Sequence, residues 1–196
     1  VFGDWSSDVC SSDLMKPKTR YNIRLAERKG VSVRRGGARD FELWNRLYRE
    51  TARRNRIRAH GPEYFAPLMK GEESTVRMLI AEADGVALAA MFLSVSADRA
   101  CYLYGASSDD GRDLMAPYAL QWEAMRTARA ALCRSYDLFG VSPRPDPEHP
   151  MYGLYRFKIG FGGRLLHRQG VWDYPYDEAA YGPYRAAETA SQGFNI

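Results

Sequence analysis

The sequence predicts a mixed α/β layer structure in which a mainly antiparallel sheet is flanked by helices. Three observations carry this expectation. Apolar residues recur at helical spacing over 18–29 and 40–55, strand-like runs replace them over 76–106, and a second long helical pattern follows from Leu114 before the chain returns to short strands. A chain of 196 residues, 45% hydrophobic and 27% charged, is long enough to bury the core that such layers need.

Residues 18–29 read as a basic helix with Tyr21, Leu25 and the stem of Lys29 on one face, and Gly30 as its C-cap. Residues 31–33 alternate briefly like a strand before a loop at 34–37. Asp40 offers an N-cap for a helix to Asn55, whose Phe41, Trp44, Leu47, Tyr48 and Thr51 form a stripe read as core. Pro62 opens a short helix carrying Tyr64, Phe65, Leu68 and Met69, which Gly71 closes. Residues 76–83, 86–95 and 99–106 are joined by the turn-like Ala83-Asp84-Gly85 and Ala97-Asp98, so they read as an antiparallel meander. Leu114, Tyr118, Trp122, Met125 and Leu132 mark one face of the next helix, which tolerates Pro117 in its first turn. Residues 135–141 read as a short strand, the segment from Pro143 to Pro150 as irregular, 152–157 as helical and 164–174 as a final strand.

No apolar run approaches the ~18 residues that a spanning helix needs. Cys10, Cys101 and Cys133 form neither a disulfide framework nor a metal knuckle, which points to a reducing compartment. The net charge of +4 and pI near 9 fit a polyanionic partner, although surplus arginine also occurs on many soluble surfaces. Residues 4–14 coincide with an in-frame translation of a widely used sequencing-adapter oligonucleotide, and they lack the basic and apolar regions of a targeting signal. Residues 1–14 therefore count as an adapter-derived artefact, and the natural chain is expected to continue upstream of Met15. They carry three aspartates and no basic residue, so the remaining 182 residues hold a net charge of +7. Cys101 and Cys133, the two thiols left, read as small buried hydrophobes.

The most specific local signal is the segment from Gly153 to Gly163, GLYRFKIGFGG. Its glycines permit positive φ and close backbone approach, while Arg156 and Lys158 bring two positive charges, so the segment can hold an anion. The structural alternative is a helix C-cap and turn, with Phe157 and Phe161 as core plugs and Lys158 solvated. The run Arg53-Arg54-Asn55-Arg56-Ile57-Arg58 offers bidentate donors for phosphate or, equally, a solvated helix end. By period two, Tyr102 and Tyr104 share one face of a strand, where they contact a sugar or phosphate or simply pack. Asp137 reads as a strand-end structural aspartate rather than a base, and His60, His149 and His167 lack metal spacing. The Walker, GxGxxG, GxSxG and HExxH patterns have no counterpart here.

KPKTRYNIRLAERKGV from Lys16, the arginine-rich region near Thr51, CYLYGAS, PYALQWEAM, YDLFGV and above all GLYRFKIGFGG resemble, in that order, the FemABX family of aminoacyl-tRNA-dependent peptidyltransferases. Members build peptidoglycan interpeptide bridges with two acetyltransferase-like (GNAT) domains. The resemblance implies a connecting helix at 15–30 and the second GNAT-like domain at 31–196, with a first domain missing. It further implies aminoacyl-tRNA as co-substrate without another cofactor, a peptidoglycan precursor as acceptor, and a cytoplasmic location at the inner membrane face. By similarity Lys158 and Phe157 are the catalytic pair, while Arg54, Tyr102, Tyr104 and Arg156 bind substrate. Lys18 and Arg20 support the tRNA or the interdomain region. Two alternatives stand beside this reading: an acyl-CoA-dependent N-acyltransferase of the same fold, against which no Q/R-x-x-G-x-G/A loop precedes the helix at Leu114, and a non-catalytic RNA- or phosphate-binding module.

Overall fold

The computed structural model describes residues 2–4, 11–69, 75–142, 145–167 and 172–192. The chain divides into two compact units, Val1–Leu166 and His167–Ile196. The first holds strands β1 (Phe2–Asp4), β2 (Ser32–Arg35), β3 (Val76–Ala83), β4 (Val86–Ser96), β5 (Arg99–Ser107) and β6 (Ser135–Asp137). It also holds helices α1 (Pro17–Arg28), α2 (Phe41–Asn55), α3 (Pro62–Phe65), α4 (Ala116–Ala130) and α5 (Tyr152–Gly160). The second unit carries α6 (Glu178–Gln192).

The expected meander is present. The β3–β4 turn places Asp84 and Gly85 at φ of 50° and 75°, the two left-handed positions that make Asp-Gly a tight hairpin turn. The six strands lie in the order β1-β6-β5-β4-β3-β2, antiparallel except for β5 with β6. Alternate residues of the central strands face two separate cores. Met78, Ile80 and Phe92 pack on Trp44, Leu47 and Phe65 from α2 and α3, with Trp44 edge-on to Phe92 at 4.6 Å between ring centroids. Leu79, Ala81 and Leu93 face Ile23 and Ala26 of α1 and Leu120 and Ala124 of α4. With both faces covered, β4 is buried almost continuously, which explains its unbroken apolar run.

Several sequence expectations are corrected here. On α1 the buried residues are Thr19, Asn22, Ile23 and Ala26, whereas Tyr21 is 55% exposed, because small residues rather than large ones let this helix pack closely. The same holds for α4, where Ala116, Ala119, Ala124 and Ala128 meet the core and Leu132, beyond the helix at φ 61°, is 85% exposed. Strand β2 includes Arg34 and Arg35, which the sequence placed in a loop. Strand β6 stops at Asp137, since Phe139 takes a left-handed conformation at φ 65°. The final strand at 164–174 is reduced to a bridge at Arg164, with 168–171 outside the described residues, as is Gly71. Helix α6 runs through Pro183, and the Asp177 carboxylate caps it by accepting from the Ala179 and Ala180 N–H groups at 2.9 and 3.1 Å.

Three tests follow from this packing. Gly162 sits at φ 82°, where a β-carbon would strike the Leu14 carbonyl, so Gly162→Ala is expected to destabilise the chain by roughly 1–3 kcal/mol in denaturant titrations. Gly153→Ala, in open space on α5, is expected to stabilise it by about 0.5 kcal/mol instead. Arg34 donates to both Asp40 oxygens, at 2.8 and 3.2 Å, and holds that carboxyl below its ordinary value of 3.8. A lowered folded pKa contributes stability above the unfolded value and loses it as pH falls. Asp40→Asn is therefore expected to cost about 1–2 kcal/mol at pH 7, with the deficit closing below about pH 4.

Candidate functional site

Strand β6 pairs with β5 in parallel over Arg99 with Ser135, Ala100 with Tyr136 and Cys101 with Asp137, and then ends. From Tyr102 onward, that edge of β5 has no strand beside it among the described residues. Lys158 of α5 enters there. Its side chain is drawn inward, 4% exposed, and Nζ donates to the Gly140 carbonyl at 2.7 Å while lying 5.4 Å from the centre of the Tyr102 ring. Burial pushes the amine down to about 8, against the opposing pull of Asp137 and Cys101. A solvated Lys158 is thus ruled out. Beside it, half-buried Phe157 packs edge-on to Tyr118 and Phe161, each at 5.1 Å.

A β-bulge overturns the expected pairing of the two tyrosines. Phe92 lies opposite Tyr104 and Leu93 opposite Tyr102, so Leu103 is an extra residue that breaks the period-two alternation. Tyr102 joins the core under α1 and α4, and Tyr104 joins the one under α2 and α3. The Tyr102 hydroxyl lies over Gly105, where any β-carbon would collide with it, and burial pushes this phenol up to about 12. The Tyr104 hydroxyl meets that of Tyr64 at 2.6 Å, and the Tyr64 ring stacks on His60 at 4.1 Å. Only Tyr102 accompanies Lys158.

A cleft of about 470 Å³ is lined by Arg54, Ser107, Asp110, Met115, Tyr118 and Phe157, among others. Arg54 is held within it, donating to the Ser107 carbonyl at 3.0 Å, to Ser107 Oγ at 2.8 Å and to Asp109 at 2.5 Å. Its charge in turn holds the Asp109 carboxyl below the usual range. Thr51 Oγ1 accepts from the Ser107 N–H at 2.8 Å, and the Glu50 carboxylate accepts from Ser108 Oγ at 3.1 Å. Sequence reading singled out Arg54 but missed Glu50 as a binder of this loop; the signal was its place on the helix face between Leu47 and Arg54. Of the other expected residues, Arg156 is exposed over the Tyr152 ring at 5.9 Å, and Lys18 is exposed on α1. Arg20 donates to the Met15 carbonyl at 2.5 Å and lines a separate groove of about 220 Å³ with Trp122.

The glycines of the α5 motif serve close approach. Gly160 and Gly162 lie where a β-carbon would strike Thr19 and the Leu14 carbonyl, and the Lys16 N–H donates to the Gly160 carbonyl at 2.9 Å. Phe161 plugs the core, as the structural alternative expected. At its other end α1 is tied by Lys29 to Asp113 at 2.6 Å, on the rim of the cleft. Burial raises the thiols of Cys101 and Cys133, which disfavours a thiolate at either. Among the described residues no group of three or more His, Cys, Asp and Glu side chains is placed to hold a metal, and no helix is long and apolar enough to cross a membrane.

Comparison with known proteins agrees with this architecture. Over 143 residues, covering 71% of this chain, the sequence is 29% identical to the lipid II:glycine glycyltransferase of Staphylococcus haemolyticus. That match covers 34% of the relative, so the chain spans about a third of the length of such proteins. The fold superposes on FemX with a TM-score of 0.74 at 18% identity, covering 82% of this chain and 57% of FemX. An aminoglycoside acetyltransferase from an uncultured soil metagenomic sample superposes at 0.54 and 11% identity, covering 75% of this chain and 97% of the enzyme, which makes the fold GNAT-like. The sequence profile of the FemAB family matches residues 6–85 and 70–189. With that profile running through the meander, the cleft and the Lys158 helix alike, the chain belongs to the FemAB family.

Proposed function

We propose that this chain is the second GNAT-like domain, 31–196, and the connecting helix, 15–30, of an aminoacyltransferase. A further GNAT-like domain precedes it in the natural protein, and residues 1–14 are adapter-derived. The enzyme moves an amino acid from aminoacyl-tRNA to the stem peptide of a peptidoglycan precursor, lipid-linked or UDP-linked, in the cytoplasm at the inner face of the membrane. The observation that carries this reading is the buried Lys158 ammonium at the open edge of β5, next in sequence to Phe157, which lines the cleft.

The acceptor amine attacks the ester carbonyl, an oxyanion develops, the ester C–O bond breaks, and the proton lost by the amine ends on the released tRNA hydroxyl. Alignment and oxyanion stabilisation are the main requirements. Lys158 supplies a fixed positive charge at a site where water competes little, and Phe157 shapes the approach. The proton passes from acceptor amine to leaving oxygen within the substrates themselves. Arg54 acts by ordering the loop from Ser107 to Asp109, since its donors are already engaged there. The basic surplus suits tRNA, whose binding is expected to weaken steeply with salt.

Transfer of a labelled amino acid from charged tRNA to a stem-peptide precursor, by the full natural chain, tests the proposal. Lys158→Met is expected to lower the rate by about a hundredfold or more. The wild-type rate should bend downward as pH rises through about 8, where the ammonium is lost, and the variant should lack that bend. Transfer from no charged tRNA at all would sink the reading, as would stabilisation of the present chain by acetyl-CoA and not by UDP-MurNAc-pentapeptide.

Stability moves the other way. The folded pKa of Lys158, about 8, lies below the ordinary 10.5, so the folded state binds fewer protons between these values and its stability rises with pH there. The cost of burying the charge is fully present below pH 8. Lys158→Met is accordingly expected to stabilise the fold at pH 7 by on the order of 1–3 kcal/mol, a gain that fades toward about pH 10 in denaturant titrations.

A further inference from the structure

The chain that leaves β6 makes a short turn held at three points. The Phe139 N–H donates to Asp137 Oδ1 at 2.8 Å, Arg99 of β5 donates to Asp137 Oδ2, and the Gly140 carbonyl receives Lys158 Nζ at 2.7 Å. Phe139, in the middle, stands at φ 65°, a conformation that a bulky residue keeps only when its surroundings impose it. Asp137 itself is buried at the last parallel pair, opposite Cys101. One carboxylate therefore fixes both the direction of the turn and the end of the strand it leaves.

We infer that Asp137 is the positioning residue for Lys158: it holds the turn whose Gly140 carbonyl receives the ammonium, and its negative charge favours the charged form of the amine. The inference deepens the transferase reading and rests on it for the role of Lys158. The groups that face the amine from the packed elements are Asp137 on β6, the Cys101 thiol and the Tyr102 ring on β5, with Arg99 acting on the far oxygen of the carboxylate. Of these only Asp137 is an anion at neutral pH, because burial keeps the thiol and the phenol protonated. Asp137→Asn leaves an oxygen to accept from Phe139 and removes the charge together with the acceptor that Arg99 uses.

The test is a lysine side-chain NMR titration of the 196-residue chain, which has five lysines, so that Lys158→Arg assigns the Lys158 signal. The wild-type midpoint is expected near 8, and Asp137→Asn should lower it by about half a unit or more. An unchanged midpoint overturns the inference. Should Asp137→Asn not fold, the wild-type carboxyl carbon of Asp137 answers the same question: it must show an inflection at the Lys158 midpoint, and a flat response overturns the inference. In the full natural chain Asp137→Asn should lower kcat about tenfold or more at unchanged KM, with the alkaline bend displaced by as much as the midpoint. A displaced midpoint in a protein that transfers from no charged tRNA leaves Asp137 as the positioner of Lys158 and overturns the transferase reading alone.

Discussion

Everything at this site depends on how strand β5 is edged. On one side it is paired with β4 along its whole length, and on the other β6 accompanies it for three residues only. The backbone groups of a strand must be satisfied by a neighbour, a side chain or solvent. Where β6 ends, the sheet opens an edge that helix α5 enters with Lys158. At the far end of β5 the task passes to α2, where Thr51 and Arg54 bind the backbone of Ser107. The cleft lies against that end, with Arg54 on one wall and Phe157 on another. A longer β6 would close the opening and leave the lysine no place.

The energetics of Lys158 separate structure from function. A methionine of similar length fills the same apolar space without a desolvation cost, so packing gives no reason for a charge there. The Gly140 carbonyl and the Tyr102 ring recover part of that cost, and the depressed pKa shows that they do not recover all of it. An ammonium that is nearly dry and already oriented is a poor stabiliser of the fold and a good stabiliser of an oxyanion formed nearby. Under the proposed function, burial and activity pull in opposite directions on one side chain.

The sheet was legible because its signals are local. Asp84-Gly85 and the runs around it specify a hairpin whatever lies elsewhere, and the stripe from Trp44 to Thr51 specifies a buried helix face. The candidate site was legible through the resemblance that the glycine-rich segment carries, since its residues alone left an anion site and a helix end equally open. Lys158 and Phe157 stood out within the glycine-rich segment, but the burial of the lysine depends on Tyr102 and Gly140, which lie far away in sequence. The bulge at Leu103 leaves no mark on a period-two count, and so Tyr104 was assigned to the wrong face. Gly105 was the available clue, since a glycine within a strand signals close approach of another group. Alanine misled in α1 and α4, where the closest packing is made by the smallest side chains.

Helix α1 reaches the opened edge from both sides. Thr19 in its first turn lies against Gly160, two residues beyond Lys158, and at its other end Lys29 binds Asp113 on the rim of the cleft. The groups at either end are short: a Thr19 side chain against a glycine, and one exposed ion pair. The first of these is steric and insensitive to salt, while the second is screened and contributes little alone. The N-terminal end of α1 is therefore held to α5 by a contact that cannot yield without moving the backbone at Gly160.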